Sequence, residues 1–111
     1  VSATGVVMDP YRYVRINGTM DAKFGWDTYR LQLGAGATQL GIRLVWATGS
    51  DACDFRLWDE SSAEGTALSL DLDIEEVTFI NLTAGAVYYI GVYFLENHSG
   101  LPYQLYLYAE P

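Results

Sequence analysis

The chain has 111 residues, half of them hydrophobic, with six Lys and Arg against fourteen Asp and Glu and a formal net charge of −8. This length is one domain, large enough to bury roughly two-thirds of the surface that the unfolded chain exposes. The charge argues against nucleic acid and anionic membrane surfaces as partners, since both need a basic patch. No apolar run approaches the ~20 residues of a membrane span, so membrane insertion is not expected.

The elements expected along the chain are strands. Val1 to Met8 is small, apolar and β-prone, and Pro10 separates it from Tyr11-Arg12-Tyr13. Such an arm either pairs in its own sheet or adds to the open edge of a neighbouring copy, with Val6, Val7 and Met8 as the contact residues. Alternating apolar and polar residues then recur at Tyr13 to Met20, Thr28 to Leu33, Gln39 to Ala47, Asp54 to Asp59, Glu75 to Leu82, Val87 to Leu95 and Tyr103 to Tyr108. Gly, Asp, Asn and Ser clusters separate them, and no 3.6-residue apolar period persists long enough for a helix.

The clearest stretch is Leu82-Thr83-Ala84-Gly85-Ala86-Val87-Tyr88-Tyr89-Ile90-Gly91-Val92-Tyr93, which reads as strand, tight turn and strand. Gly85 stands where the turn needs a residue that accepts a positive φ. Tyr88, Ile90, Val92 and Phe94 then fall on one face, and Tyr89, Tyr93 and Leu95 on the other. The whole pattern predicts an all-β chain, an antiparallel β-sandwich whose core includes Tyr29, Leu31, Leu33, Leu40, Ile42, Leu44, Phe55, Leu57, Val77, Phe79, Tyr88, Ile90, Val92, Leu105 and Leu107.

The blocks Gly18-Thr19-Met20-Asp21, Trp26-Asp27-Thr28-Tyr29-Arg30-Leu31-Gln32-Leu33-Gly34-Ala35-Gly36, Asp54-Phe55-Arg56-Leu57-Trp58-Asp59, Leu82 to Tyr93, and Tyr103-Gln104-Leu105-Tyr106-Leu107 occur in an order and spacing that resembles the bacterial pre-peptidase C-terminal domain. The same pattern occurs in the collagen-binding domains of bacterial collagenases. The resemblance implies a secreted, jelly-roll-like β-sandwich of about seven to nine strands without catalysis of its own. It also divides the chain into an arm, residues 1–15, and a domain, residues 16–111. Two departures stand out. The collagen-binding relatives hold calcium with an acidic cluster just before the domain and with residues of the loop ahead of the Asp27 strand, whereas no such cluster precedes Ile16 here and Ala22-Lys23-Phe24-Gly25-Trp26 is apolar and basic; they bind collagen through tyrosines, of which Tyr93 matches one while Leu95 stands where a second is expected.

Catalysis has little to stand on. One His and one Cys serve the whole chain, His98 in the polar loop Glu96 to Gly100 and Cys53 as a small hydrophobe. A lone thiol excludes a disulfide framework and a Cys-based zinc site. Asp71, Asp73 and Glu75 form a row at period two that could take a hard cation such as calcium, although a solvated, aggregation-resisting face is the plainer reading. No other cofactor is implied, and the chain is not expected to be an enzyme.

Asn17, Asn81 and Asn97 are the only asparagines, and each opens an N-x-[ST] triplet, the acceptor motif for glycans on exported proteins. Extracellular or cell-surface location is the expectation. Two uses then compete. One is a glycosylated building block that self-associates through its arm into a fibre or coat. The other is an accessory module of a secreted hydrolase that presents Tyr89, Tyr93, Tyr106, Tyr108 and Trp58 to a polysaccharide or matrix protein. The unmatched arm favours the first.

Overall fold

The computed structural model describes residues 2–19, 26–46, 53–60, 76–94 and 102–111. They form eight strands: β1 (Ser2–Met8), β2 (Tyr13–Thr19), β3 (Trp26–Leu33), β4 (Gln39–Trp46), β5 (Cys53–Asp59), β6 (Glu76–Phe79), β7 (Val87–Phe94) and β8 (Pro102–Glu110). Two four-stranded sheets result, ordered β1-β3-β7-β5 and β2-β8-β4-β6. Odd-numbered strands build the first sheet and even-numbered strands the second. Consecutive strands therefore always lie in opposite sheets, the interleaving of a jelly-roll sandwich.

Period-two alternation produces the core between them. In β8, Tyr103, Leu105, Leu107 and Ala109 are buried while Gln104, Tyr106, Tyr108 and Glu110 are half-buried on the outer side. Leu40, Ile42 and Leu44 do the same in β4, and Tyr88, Ile90 and Val92 in β7. Each fully buried Leu or Ile contributes about 1.5–3 kcal/mol relative to exposure, so the sandwich stands on this interlayer. The expected core holds, with Tyr29 and Val77 only partly buried against it, and with Met8, Ala37, Tyr103 and Ala109 added.

Two expectations are corrected. The segment from Leu82 to Tyr93 is not a hairpin: β6 pairs with β4 and β7 with β3 and β5. The turn itself is real, with Ala86 N–H bonded to the Thr83 carbonyl and Gly85 at φ 78°, but it carries the chain from one sheet to the other. The sandwich is not wholly antiparallel, because β1 pairs with β3 in parallel, with a bulge between Ala3 and Val6.

The arm pairs in the first sheet of its own chain. Val6, Val7 and Met8 pair with Leu31, Gln32 and Leu33 of their own chain, and Met8 is fully buried. Gly34 N–H donates to the Met8 carbonyl at 2.9 Å and Arg12 Nη1 to the Val7 carbonyl at 3.0 Å. Residues 1–15 thus supply β1 and the opening of β2, one strand to each sheet. The physical reason is burial: the side chain most costly to leave in water, Met8, has a place in its own core.

Tyr103 ties the sheets together. Its hydroxyl donates to Asp27 Oδ2 at 2.5 Å and lies 2.5 Å from the Tyr29 hydroxyl. A phenol has one proton, so Tyr29 donates to Tyr103. Asp27 and Tyr29 are on β3 of the first sheet and Tyr103 on β8 of the second. Burial first, then the bonds to Asp27 and Tyr29, hold the Tyr103 phenol far above its ordinary value.

Candidate functional site

The aromatic residues expected to share one face are divided between two. Trp58, Tyr89 and Tyr93 stand on the outer face of the first sheet, where Trp58 and Tyr89 are register partners with rings stacked at 6.1 Å and 19°. The Arg56 guanidinium covers Tyr93 at 5.6 Å from the ring centroid. Tyr106 and Tyr108 stand on the outer face of the second sheet, on the far side of the core. Strand phase shows which residues point outward; it does not show in which sheet.

A groove lies on the outer face of the second sheet. Three rows cross that face in register. Arg15, Tyr106, Arg43 and Glu76 form one, and Tyr13, Tyr108, Gly41 and Thr78 the next; Glu110 and Gln39 follow on β8 and β4. Gly41 has no side chain, so a gap opens between Tyr108 and Thr78. A Cβ there would meet Thr78 Oγ1 and the Tyr108 carbonyl at ordinary 3.7 Å contact, so nothing in the fold requires glycine at this position. The resulting groove encloses about 370 Å³.

Its walls differ in chemistry. Tyr13, 59% exposed, packs on Tyr106 at 6.0 Å and 45° and on Tyr108 at 6.5 Å and 53°, giving a tilted three-ring wall. Arg43 rises opposite, its guanidinium 5.9 Å from the Tyr106 ring centroid and its Nε 3.7 Å from Glu76 Oε2. Both side chains of that pair are exposed, and an exposed pair at this distance adds little stability. What it does is hold a fork of donors beside carboxylate acceptors along one wall. The floor is the β4–β8 ladder at Ile42 and Leu107.

The other expected site residues fall as follows. Asn17 is exposed on the outer face of β2, and Asn81 is exposed between β6 and β7 with φ 58°, a left-handed conformation that asparagine tolerates. Asn97, His98 and the carboxylate row Asp71, Asp73 and Glu75 lie outside the described residues. Among the described residues, no three His, Cys, Asp or Glu side chains are grouped as metal ligands. Sequence reasoning missed Tyr13, Gly41, Arg43, Glu76 and Thr78. The available signal was phase: Tyr13 alternates with Val14 and Ile16 in the same step as the polar Arg15 and Asn17, which marks it as outward.

Sheet order and alternation together define a jelly-roll-type β-sandwich, with a groove on the outer face of its second sheet. No family model matches the chain, and no curated protein does. Solved structures share the fold. The pre-peptidase C-terminal domain of a collagenase from Bacillus anthracis is 16% identical, with a TM-score of 0.66 over 96% of this chain and 97% of that one. A periplasmic inhibitor of g-type lysozyme from Aeromonas hydrophila is 18% identical, with a TM-score of 0.61 over 98% of this chain and 100% of the inhibitor. The Yersinia pseudotuberculosis-derived mitogen is 13% identical, with a TM-score of 0.65 over 88% and 86% of the two chains. The fold is thus like that of the pre-peptidase C-terminal domain.

Proposed function

We propose that this chain is a non-catalytic, exported binding module that takes a neutral glycan in the groove of its second sheet. The observation that carries this reading is the gap over Gly41, walled by the rings of Tyr13, Tyr106 and Tyr108 on one side and by Arg43, Glu76 and Thr78 on the other. A sugar ring offers apolar C–H faces and a rim of hydroxyls. The tyrosines supply flat apolar area with a polar tip, and the opposite wall supplies donors and acceptors for the rim. The groove volume lies within the ~300–1,000 Å³ of small-molecule sites. Mixed charge in the walls suits a neutral ligand better than an anionic one. The scaffold's use elsewhere, as a domain of a collagenase and as a periplasmic lysozyme inhibitor, supports the exported, non-catalytic part of the reading. Export also leaves Asn17 and Asn81 open to glycosylation.

The test is a titration of the ¹⁵N-labelled chain with neutral β-linked oligosaccharides. Shifts should centre on Tyr13, Gly41, Arg43, Thr78 and Tyr108. Tyr108→Ala should weaken binding about tenfold, or ~1.4 kcal/mol, and Gly41→Phe should abolish it by filling the gap while leaving the unfolding midpoint near the original. Shifts confined to Trp58, Tyr89 and Tyr93, or binding that survives Gly41→Phe, would transfer the function to the opposite face.

A further inference from the structure

Of the edge strands of the two sheets, β1, β5, β2 and β6, one lacks the guards that the others carry. β1 is bulged, β6 has four residues, and β5 carries Asp54, Arg56 and Asp59 within seven. Bulges, short length and charge are what keep an edge from pairing with another chain. β2 is seven residues long, holds an unbroken register with β8 from Tyr13 to Thr19, and has Arg15 as its one charge. Among the described residues its other edge is unpaired.

The backbone groups on that edge follow from phase, since successive residues of a strand turn N–H and C=O to opposite sides. The Arg12 carbonyl accepts from Ala109 N–H, so Val14, Ile16 and Gly18, in step with Arg12, address β8. The Glu110 carbonyl accepts from Thr38 N–H on the β4 side, which gives the same phase from β8. Tyr13, Arg15, Asn17 and Thr19 therefore present their N–H and C=O to the free edge.

β2 is its own complement. Laid antiparallel on a second β2 with Ile16 at the two-fold axis, it sets Tyr13 opposite the partner's Thr19 and Arg15 opposite the partner's Asn17, hydrogen-bonded positions that supply about eight main-chain bonds. A slip of two residues sets Arg15 against Arg15, a like-charge pair that destabilises. Two observations favour this occupant. Val14 and Ile16 point inward yet are only partly buried, whereas Leu105 and Leu107 beside them on β8 are fully covered. The axis brings Ile16 against Ile16 at a non-hydrogen-bonded position, where side chains approach most closely, and so closes that side of the core. Residues 10–20 also hold two arginines and no acid on a chain of net charge −8, so two copies meet where they repel least.

We propose that the chain forms a two-fold dimer through β2, joining two second sheets into one continuous sheet. An axis normal to the sheet keeps both outer faces on one side, so the dimer presents two grooves on one surface. Their centres stand about 19 Å apart across the strands and about 20 Å along them, at ~4.8 Å per strand and ~3.4 Å per residue. On the glycan reading, on which only this last step rests, one long chain engages both grooves and its second contact is intramolecular.

Sedimentation of the intact chain, made without glycans and at up to about 1 mM, is the test. The chain should be a dimer. Asn17→Pro removes an N–H that faces the free edge and none that β8 uses, and should fold as a monomer. Asn17→Arg should weaken dimerisation about fivefold by facing the partner's Arg15, and Asn17→Glu should strengthen it about as much. A monomeric intact chain, or a dimer that Asn17→Pro leaves whole, overturns the proposal. Where Asn17→Pro fails to fold, the charge variants decide: opposite shifts uphold the register and equal ones overturn it. Long neutral β-linked glycans should bind the intact dimer on the order of tenfold more tightly than Asn17→Arg at a concentration where that variant is monomeric, and short ones equally. A dimer that binds no glycan of any length refutes the groove reading and leaves the interface standing.

Discussion

Replacing Gly18 with alanine is expected to destabilise the domain by on the order of 3 kcal/mol, a large share of a typical margin of about 5–15 kcal/mol. Gly18 faces Tyr103 in the β2–β8 register, and a Cβ at that position would fall on the ring at Cζ and the hydroxyl. The ring has no room to retreat: Tyr103 is fully buried and its hydroxyl is held by Asp27 and Tyr29 across the interlayer. Either the inter-sheet chain of hydroxyls breaks, or β2 lifts from β8. Tyr103→Phe isolates the first cost. It leaves Asp27 and Tyr29 without their shared partner and should cost about 1–3 kcal/mol. Denaturant unfolding measures both, and an alanine variant within 0.5 kcal/mol of the parent, the level of an ordinary surface change of about that size, would show that the ring has an alternative seat.

The same chain of hydroxyls sets an alkaline limit. The folded state keeps Tyr103 neutral, whereas the unfolded phenol ionises near its ordinary value of 10.0. The unfolded chain then binds fewer protons than the folded one, so the stabilisation is complete below pH 10 and declines as pH rises above it. The Tyr103→Phe variant should show a shallower decline than its parent.

Deleting residues 1–9 is expected to abolish cooperative unfolding altogether. The deletion removes a whole edge strand, leaves the core without Met8 and strips β3 of its parallel partner. Met8→Ala alone should cost about 2–4 kcal/mol, as for other large-to-small changes at fully buried positions. The strand also contributes the Met8 carbonyl bonded by Gly34 and the Val7 carbonyl bonded by Arg12, so the loss extends into the turn that starts β2. Circular dichroism of the truncated chain is the measurement. A truncated chain that melts sharply near the parent's midpoint would make β1 dispensable, and an exchangeable arm would again be available to another copy.

What the sequence disclosed followed from how local each signal is. Tyr88, Ile90 and Val92 announce their burial because the period of a strand is two residues and depends on nothing distant. The Thr83–Ala86 turn was equally legible, since Gly85 answers a local need. The turn's destination was not: whether the chain folds back on itself or crosses the sandwich depends on partners far along the chain. Hence a turn read as a hairpin became a crossover, and Tyr89 and Tyr106, both outward by phase, parted to opposite sides. Met8 was readable as apolar but not as core, because an apolar residue in an arm says nothing of whose sheet it joins. The groove was hardest, since it is made by an absence at Gly41, visible only once Tyr108 and Thr78 are set on either side of it.

The position of β8 has a consequence for biosynthesis. It is the last strand of the chain described here and an inner one of its sheet, lying between β2 and β4. The strand that occupies the second position of the sheet is therefore absent from any nascent chain until residue 110 has left the ribosome. Until then β2 has no partner on which to pair, and the apolar face of β4 has no neighbour on that side. Among the described strands no two consecutive ones pair, so none of them forms a local hairpin that could hold the emerging chain in the meantime. The second sheet is therefore completed only when β8 joins β2 to β4, a long-range step that follows the emergence of every other described strand.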